Sequence, residues 1–460
     1  MENLSTQQRE IFNKYKKGDN IFITGPGGTG KTYLIKKIVE DAKRENREYK
    51  VCALTGCAAI LLECNAVTLH AFAGIGLANG SINQVVDRVL KNSKKKVNWK
   101  KIDLLIVDEV SMLSLKLFII LDLIAKRVKQ KRDIPFGGMQ IIFSGDFYQL
   151  PPVGDEEDID STKFCFESPL WDSVFSQENQ IVLEKVFRQS DDAFAKILNR
   201  LRVGKVTQNG LNSLEKCVGK PIKDGFIPTI IFPRRKDVDQ INNREFNKLN
   251  SENEKTFKIS KVDEIELVLS KSERENISIF TDEEKKQEVD YLSNNIMAEQ
   301  EIKLRIGTLV MCIANLDIEN GLINGSQGKI IDFKGNNPLV KFKDGQERLI
   351  SPHMWQSEKN PAIAIRQIPL IYAWAITIHK AQGLTLDNAF IDIGDSIFEC
   401  GQSYVALSRV KSLEGLYLKR LDLSKIKVNK CVKMFYENLE KNTKNTKNTK
   451  NTKNTKNPTN

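Results

Sequence analysis

Short apolar runs alternate with amphipathic stretches through the first half of the chain, the pattern of a parallel sheet covered by helices. Ile21–Thr24 and residues 51–54, 104–107 and 141–143 read as buried strands. Each gives way to a glycine, polar or acidic turn, and in such α/β sheets ligands sit at the carboxyl edge of the strands. The pattern breaks across residues 75–101, where 88–101 carry seven basic side chains and no acidic one. That segment is expected to be an inserted, solvent-facing excursion rather than core.

Farther along, residues 251–300 hold 13 acidic and seven basic side chains. Such a stretch reads as a solvated helix pair or a surface insertion, and its negative excess argues against lying on DNA. Glycine-punctuated, β-rich runs across 325–346 predict a small antiparallel barrel or hairpin module, and strand-like sequence resumes at 368–378. Residues 441–460 repeat Asn-Thr-Lys without an apolar side chain, so they are expected to be disordered.

Composition narrows the class. With 460 residues and 40% hydrophobic content, the chain can build about three domains with proper cores, which excludes a disordered or fibrous protein. Seventy Lys+Arg against 59 Asp+Glu leave a net charge of +11, which favours a polyanionic partner. Eight scattered cysteines without a C-x-x-C pair, and only three histidines, read as reduced thiols rather than a zinc cluster. Residues 1–17 are polar, unlike a secretory signal, and the longest apolar stretch falls short of the about 20 residues that span a bilayer. An intracellular, soluble protein is expected, with no membrane partner.

Gly25-Pro26-Gly27-Gly28-Thr29-Gly30-Lys31-Thr32 fits G-x-x-x-x-G-K-[ST], with a strand before it and a helical pattern after it. Glycines let such a loop wrap a phosphate with backbone N–H groups at the positive end of the helix. Lys31 would reach the β- and γ-phosphates of a nucleoside triphosphate, and the Thr32 hydroxyl would be a Mg²⁺ ligand. A plain glycine-rich turn is the alternative, and the eight matched positions with the correct flanks argue against it. The strand at 104–107 runs into Asp108 and Glu109. Asp108 can hold Mg²⁺ through water, and Glu109 can orient and deprotonate an attacking water. A third strand leads into Gly145-Asp146-Phe147-Tyr148-Gln149, where the Gln149 amide can touch a γ-phosphate or can be a surface residue before the Pro151-Pro152 turn.

Arg188 follows an apolar run, and Arg409 closes Val405-Ala406-Leu407-Ser408-Arg409. Two arginines of a second lobe can neutralise transition-state charge as arginine fingers. A surface or salt-bridged role is the commoner fate of arginine.

The order of motifs resembles one family. Thr55-Gly56-Cys57-Ala58-Ala59, Thr68-Leu69-His70-Ala71-Phe72-Ala73-Gly74, Asp108-Glu109-Val110-Ser111-Met112, Gly145-Asp146-Phe147-Tyr148-Gln149-Leu150-Pro151-Pro152, Phe187-Arg188-Gln189, His379-Lys380-Ala381-Gln382-Gly383-Leu384-Thr385 and Ala406-Leu407-Ser408-Arg409 appear in sequence. This set is similar to that of the petite-integration-frequency (PIF) type DNA helicases, in the RecD-like 5'-to-3' class of superfamily one. Residues 121–138, ending Phe136-Gly137-Gly138, resemble the signature that separates these enzymes from their RecD-like cousins.

The resemblance covers roughly residues 4–418 and implies two RecA-like P-loop domains with parallel sheets. The first would span 1–187, with 75–101 as a small wedge insertion. The second would be built from 188–325 and 362–440, with 326–361 as a small β-barrel insertion and 441–460 as the disordered tail. It further implies that Gln8 reads adenine. Gly25, Gly27, Gly28, Thr29, Gly30, Lys31, Thr32, Asp108, Glu109, Gln149, Arg188, Gln382 and Arg409 would form the nucleotide site. Thr55, His70, Phe72, Phe147, His379 and Lys380 would line a single-strand channel, although Phe72 fits a core equally well. Partners would be single-stranded DNA and forked or structured DNA, G-quadruplexes included, bound by a monomer that can dimerise on DNA. Roles in genome replication, repair, recombination and telomere maintenance accompany the family.

Physical needs agree with the resemblance, since a single-strand motor requires two lobes, a basic groove and stacking groups. A nucleotide-switched binding protein would need the P-loop but neither paired arginines nor channel motifs. An RNA helicase stays open, because stacking and phosphate contacts tolerate either sugar unless a 2'-OH is read. The chain starts almost at the adenine-reading motif and ends soon after the last one, so a near-minimal core is expected. That fits a virus, a bacterium or a compact eukaryotic paralogue, with nucleus or mitochondrion as the compartment in the last case.

Overall fold

The strand Ile21–Thr24 (β1) is buried along its whole length, as a strand covered on both faces of a sheet is. In the computed structural model, which describes residues 4–62, 64–76, 78–155, 157–187, 191–222, 227–262, 280–317, 320–357, 360 and 362–454, it lies between two parallel neighbours. The strands Tyr49–Ala53 (β2), Val67–Thr68 (β3), Leu104–Asp108 (β4), Gln140–Gly145 (β5) and Gln180–Val182 (β6) complete a parallel sheet in the order β3-β2-β4-β5-β1-β6. β4 and β5 are buried throughout, as strands covered on both faces must be. The expected strands at 51–54, 104–107 and 141–143 are present, each shifted or lengthened by a residue or two at its ends. The order sets the chemistry, because it puts the carboxyl ends of β4, β5 and β1 side by side.

Two compact units divide the chain. The first comprises Met1–Thr207, Glu399–Tyr404 and Ile426–Asn460; the second comprises Gln208–Phe398 and Val405–Lys425. The first unit therefore extends past the expected boundary at 187 and takes back two later segments. Its second return is the helix beginning at Lys430, where Val432, Tyr436 and Leu439 enter the hydrophobic core beneath the sheet.

That helix runs to Asn454, into the repeat expected to be disordered. The repeat up to that point contains neither Gly nor Pro, so no residue in it breaks the hydrogen-bond ladder that starts in the packed part of the helix. Residues 455–460 lie outside the described residues.

Residues 75–101 also depart from expectation. They form the helices Ile82–Lys91 and Ser93–Lys101, the first opened by a capping box between Ser81 and Gln84. Val85, Val86, Val89 and Trp99 are buried, and the Trp99 ring lies 4.9 Å from that of Phe72. Arg88, Lys91, Lys96, Lys100 and Lys101 are exposed while an apolar stripe docks on the core, so the segment is an anchored helix pair.

In the second unit, Ala375–Thr377, Thr229–Phe232, Ala389–Ile393 and Leu416–Leu421 form a four-stranded parallel sheet in that order. An antiparallel five-stranded sheet joins Glu347–Leu349, Asn337–Phe342, Gln327–Lys334, Leu309–Cys312 and Leu370–Tyr372. The β-rich module is thus wider than the expected 326–361, because the fully buried Leu309–Cys312 and the Leu370–Tyr372 strand close its hydrophobic side. Part of the acidic stretch is the helix Asp282–Asn295, opened by a Thr281–Glu284 capping box; residues 263–279 lie outside the described residues.

Candidate active site

β1 ends at Thr24, and the chain turns through residues 25–30 into the helix Lys31–Arg44. Gly30 opens that helix at φ +80°, and a Cβ there would come within 2.7 Å of the Gln8 amide nitrogen. Gln8 is buried, donates to the Gly30 carbonyl at 3.4 Å and closes a capping box with Ser5. Neighbouring Gln7 instead bonds the Val182 carbonyl at 3.0 Å, so of the two glutamines Gln8 faces the loop. Thr29 braces the loop through its hydroxyl to the Pro26 carbonyl, and Phe187 N–H donates to the Gly28 carbonyl.

Lys31 donates to the carbonyls of Gly25 and Pro26 at 2.8 and 3.0 Å. Desolvation pushes its pKa below the ordinary 10.5, opposed by the carboxylates of Asp146, Glu109 and Asp108. Thr32 is exposed in the first helical turn, where free N–H groups and the helix dipole favour an anion.

Asp108 ends β4 buried. Burial raises its carboxyl pKa, opposed by the Ser144 hydroxyl, the Glu109 backbone and Lys31. Glu109 is a non-glycine residue at φ 56°, ψ 39°, a left-handed conformation costing on the order of 1–3 kcal/mol. This turn places consecutive carboxylates differently, one inside at the strand end and one half-exposed. Thr32 and Asp108 offer hard oxygen donors, a set suited to a Mg²⁺ shared with substrate phosphates rather than caged by protein. Among the described residues no group of three His, Cys, Asp or Glu side chains forms such a cage.

The loop after β5 carries Asp146 and Gln149, both buried. Asp146 is held by Arg202 through two bonds of 2.8 Å, and the Gln149 N–H donates to the Asp146 carbonyl. A later segment, Glu399–Tyr404, reaches the same place. Tyr404 accepts from the Gly27 N–H at 3.2 Å, and Gly401 passes too close to the Tyr148 and Gln149 carbonyls for any Cβ to fit. Arg202, Tyr404 and Tyr436 carry no local motif, because their partners lie far away along the chain.

Within the second unit, Arg409 is buried and donates to the carbonyls of Val405 and Ala381 and to the Ser408 hydroxyl. Those bonds tie the turn carrying Gln382 to the one carrying Arg409. Arg188 lies outside the described residues. His379 and Lys380 line a groove of about 550 Å³ with Arg235, Lys303 and Glu299. Lys380 pairs with Glu299 at 3.2 Å, and burial holds the His379 pKa below 6.5.

The profile of the PIF1-like helicase family matches residues 3–211, and that of the DNA helicase Pif1 2B domain matches residues 289–333. The ATP-dependent DNA helicase Pif1 of Bdellovibrio bacteriovorus is 31% identical, the match covering 95% of this chain and 92% of the relative. This chain belongs to the PIF1-like helicase family. The ATP-dependent DNA helicase PIF1 of Xenopus laevis is 34% identical, the match covering 95% of this chain and 65% of the relative, so this chain spans less than two thirds of that relative's length. A crystal structure of Bacteroides Pif1 with ADP-AlF4 is 27% identical with a TM-score of 0.76, covering 95% of this chain and 97% of the other. One with ADP-AlF3 and single-stranded DNA is 28% identical with a TM-score of 0.62, covering 95% of this chain and 97% of the other.

The PIF1-like chain therefore has the RecA-like domains and the 2B domain of its family. Two of its expected channel residues are elsewhere. Phe72 packs on Trp99 in the core, and Phe147 is 1% exposed among Phe22, Phe164, Phe166, Trp171 and Phe435. Neither ring has a face left for a base, because each completes the apolar layer under the sheet. Thr55 accepts from the Ala58 N–H at a helix start. His70 lines a groove of about 1240 Å³ beside Asn79, Lys116 and Asp158. Among the described residues no helix is long and apolar enough to cross a membrane.

Proposed function

We propose that this chain is an ATP-driven DNA helicase that moves 5'-to-3' on single-stranded DNA and opens duplex, forked or structured DNA ahead of it. The observation that carries this reading is the alignment of three parallel strand ends, β1, β5 and β4, which bear Lys31, the Asp146–Gln149 loop and Asp108–Glu109.

Lys31 would leave the loop carbonyls for the β- and γ-phosphates of ATP. Thr32 and Asp108 would hold Mg²⁺, which neutralises phosphate charge. Glu109 would orient the attacking water and take its proton, and Gln149 would contact the γ-phosphate. Gln8, whose amide bonds the Gly30 carbonyl, would read the adenine edge, and Gln382 would be a further nucleotide contact. Arg188 and Arg409 would offset transition-state charge. Thr55, His70, His379 and Lys380 would contact the DNA strand, with a second copy joining at a fork. The relatives' names, ATP-dependent DNA helicase, and the net +11 support nucleotide and DNA as the two ligands.

The test is steady-state ATP hydrolysis with and without single-stranded DNA. Hydrolysis should rise with DNA in the natural chain and vanish in Lys31→Ala; turnover that persists in Lys31→Ala would remove the phosphate site from the reading.

A further inference from the structure

Tyr436 sits on the helix that follows the chain's second return to the first unit. Its ring is buried and stacks on Tyr148 with centroids 4.7 Å apart and planes 13° from parallel. The Arg202 guanidinium covers both rings, at 4.6 Å from Tyr148 and 5.1 Å from Tyr436. Adjacent Phe435 stacks on Phe166 at 4.4 Å and fixes the helix rotation. The Tyr436 side chain therefore has one place to put its hydroxyl.

That hydroxyl is a junction. It lies 2.5 Å from the Thr24 hydroxyl, accepts from the Phe147 N–H at 3.2 Å and approaches the Asp146 carboxylate at 3.4 Å. Thr24 is the last residue of β1, directly before the phosphate loop; Phe147 lies between Asp146 and Gln149. A single oxygen from the far end of the chain thus joins the root of one nucleotide loop to the backbone of the other. Burial holds the phenol protonated by pushing its pKa far above the ordinary 10, so the group stays both donor and acceptor.

We propose that Tyr436 is a positioning residue for ATP hydrolysis, whose hydroxyl fixes the Asp146–Gln149 loop against the phosphate loop so that Gln149 meets the γ-phosphate in register. The proposal rests on the nucleotide site described above. It concerns the hydroxyl, because the ring's packing is already supplied by Tyr148, Arg202 and the neighbouring phenylalanines. Small displacements of such a loop are costly, since misplacing a reacting contact by about 1 Å lowers rates by roughly 100-fold.

The experiment compares the full chain with Tyr436→Phe, which keeps the stack and deletes the junction. DNA-stimulated kcat should fall about ten-fold, with the KM for ATP and the affinity for ADP unchanged within about two-fold. Thr24→Val should reproduce the loss, and the double variant should be no slower than either single one, because the two hydroxyls act as a pair. An unchanged kcat in Tyr436→Phe overturns the proposal. So does a fall in kcat matched by lost nucleotide affinity and a lowered unfolding midpoint, which marks a purely structural role. Should Tyr436→Phe fail to fold, Thr24→Val takes its place in the same assay, and a normal kcat there is equally decisive. A natural chain without ATP turnover would instead defeat the functional reading itself.

Discussion

Asp146 and Arg202 form a two-pronged ion pair inside the first unit, Nε to Oδ2 and Nη2 to Oδ1, each 2.8 Å long. Both residues are buried, so neither charge has water to fall back on. Removing one partner of such a pair leaves the other uncompensated, at a cost of about 3–5 kcal/mol. Arg202→Ala should therefore lower the denaturant midpoint sharply and abolish ATP turnover. Arg202→Lys keeps the charge but loses the fork, so it should give an intermediate midpoint. A midpoint in Arg202→Ala equal to that of the natural chain would show that the pair does not hold the loop.

Gln8 and Gly30 make a second pair that can be taken apart. Gln8→Ala should raise the Kd for ATP about ten-fold, the scale of one lost hydrogen bond, and bring the Kd values for ATP and GTP together. Gly30→Ala should abolish nucleotide binding, because its positive φ and the nearby Gln8 amide both exclude a side chain. Combining the two changes should not restore binding, since the backbone strain persists. Fluorescent-nucleotide titration reads all three variants.

Lys380 and His379 share one groove but differ in charge. Lys380→Ala should weaken single-strand binding and reduce the salt slope by about one. Glu299→Gln frees Lys380 from its exposed ion pair and should tighten binding by about 0.2–1 kcal/mol. Partial desolvation lowers the His379 pKa from its ordinary value, so the ring adds little charge at neutral pH and His379→Ala should weaken binding with little change in slope. Lowering the pH through that pKa adds a cation, and the resulting gain in affinity should be absent from His379→Ala. Fluorescence anisotropy across salt and pH separates these outcomes.

Trp99 tests whether the basic helix pair is anchored. Trp99→Ala should cost about 3–5 kcal/mol in chemical denaturation, whereas Lys96→Ala and Lys100→Ala should stay within about 0.5 kcal/mol. Equal effects from all three would return the segment to the surface.

These residues also show what a sequence discloses. The phosphate loop was legible because its eight positions are contiguous and flanked by strand and helix, and Asp108–Glu109 because the strand before them is wholly apolar. Arg202, Tyr404 and Tyr436 were not legible, since their roles come from partners far along the chain; Tyr436 and Thr24 are 412 positions apart. A signal for the last helix existed in the spacing of Val432, Tyr436 and Leu439, one apolar stripe ahead of the polar repeat. In residues 88–101 the seven basic side chains masked the single Trp99 that decides where the helix docks. Phe72 and Phe147 carried motif resemblance, yet their depth is set by rings from several other elements and no local pattern reports it.

The central claim is directional, ATP-driven opening of DNA. Strand displacement on matched duplexes with either a 5' or a 3' single-stranded tail, with ATP and Mg²⁺ present, measures it directly. Displacement is expected from the 5'-tailed duplex, lost in Lys31→Ala, and none from the 3'-tailed duplex. Displacement from the 3' tail alone, or equal displacement with and without ATP, would contradict it.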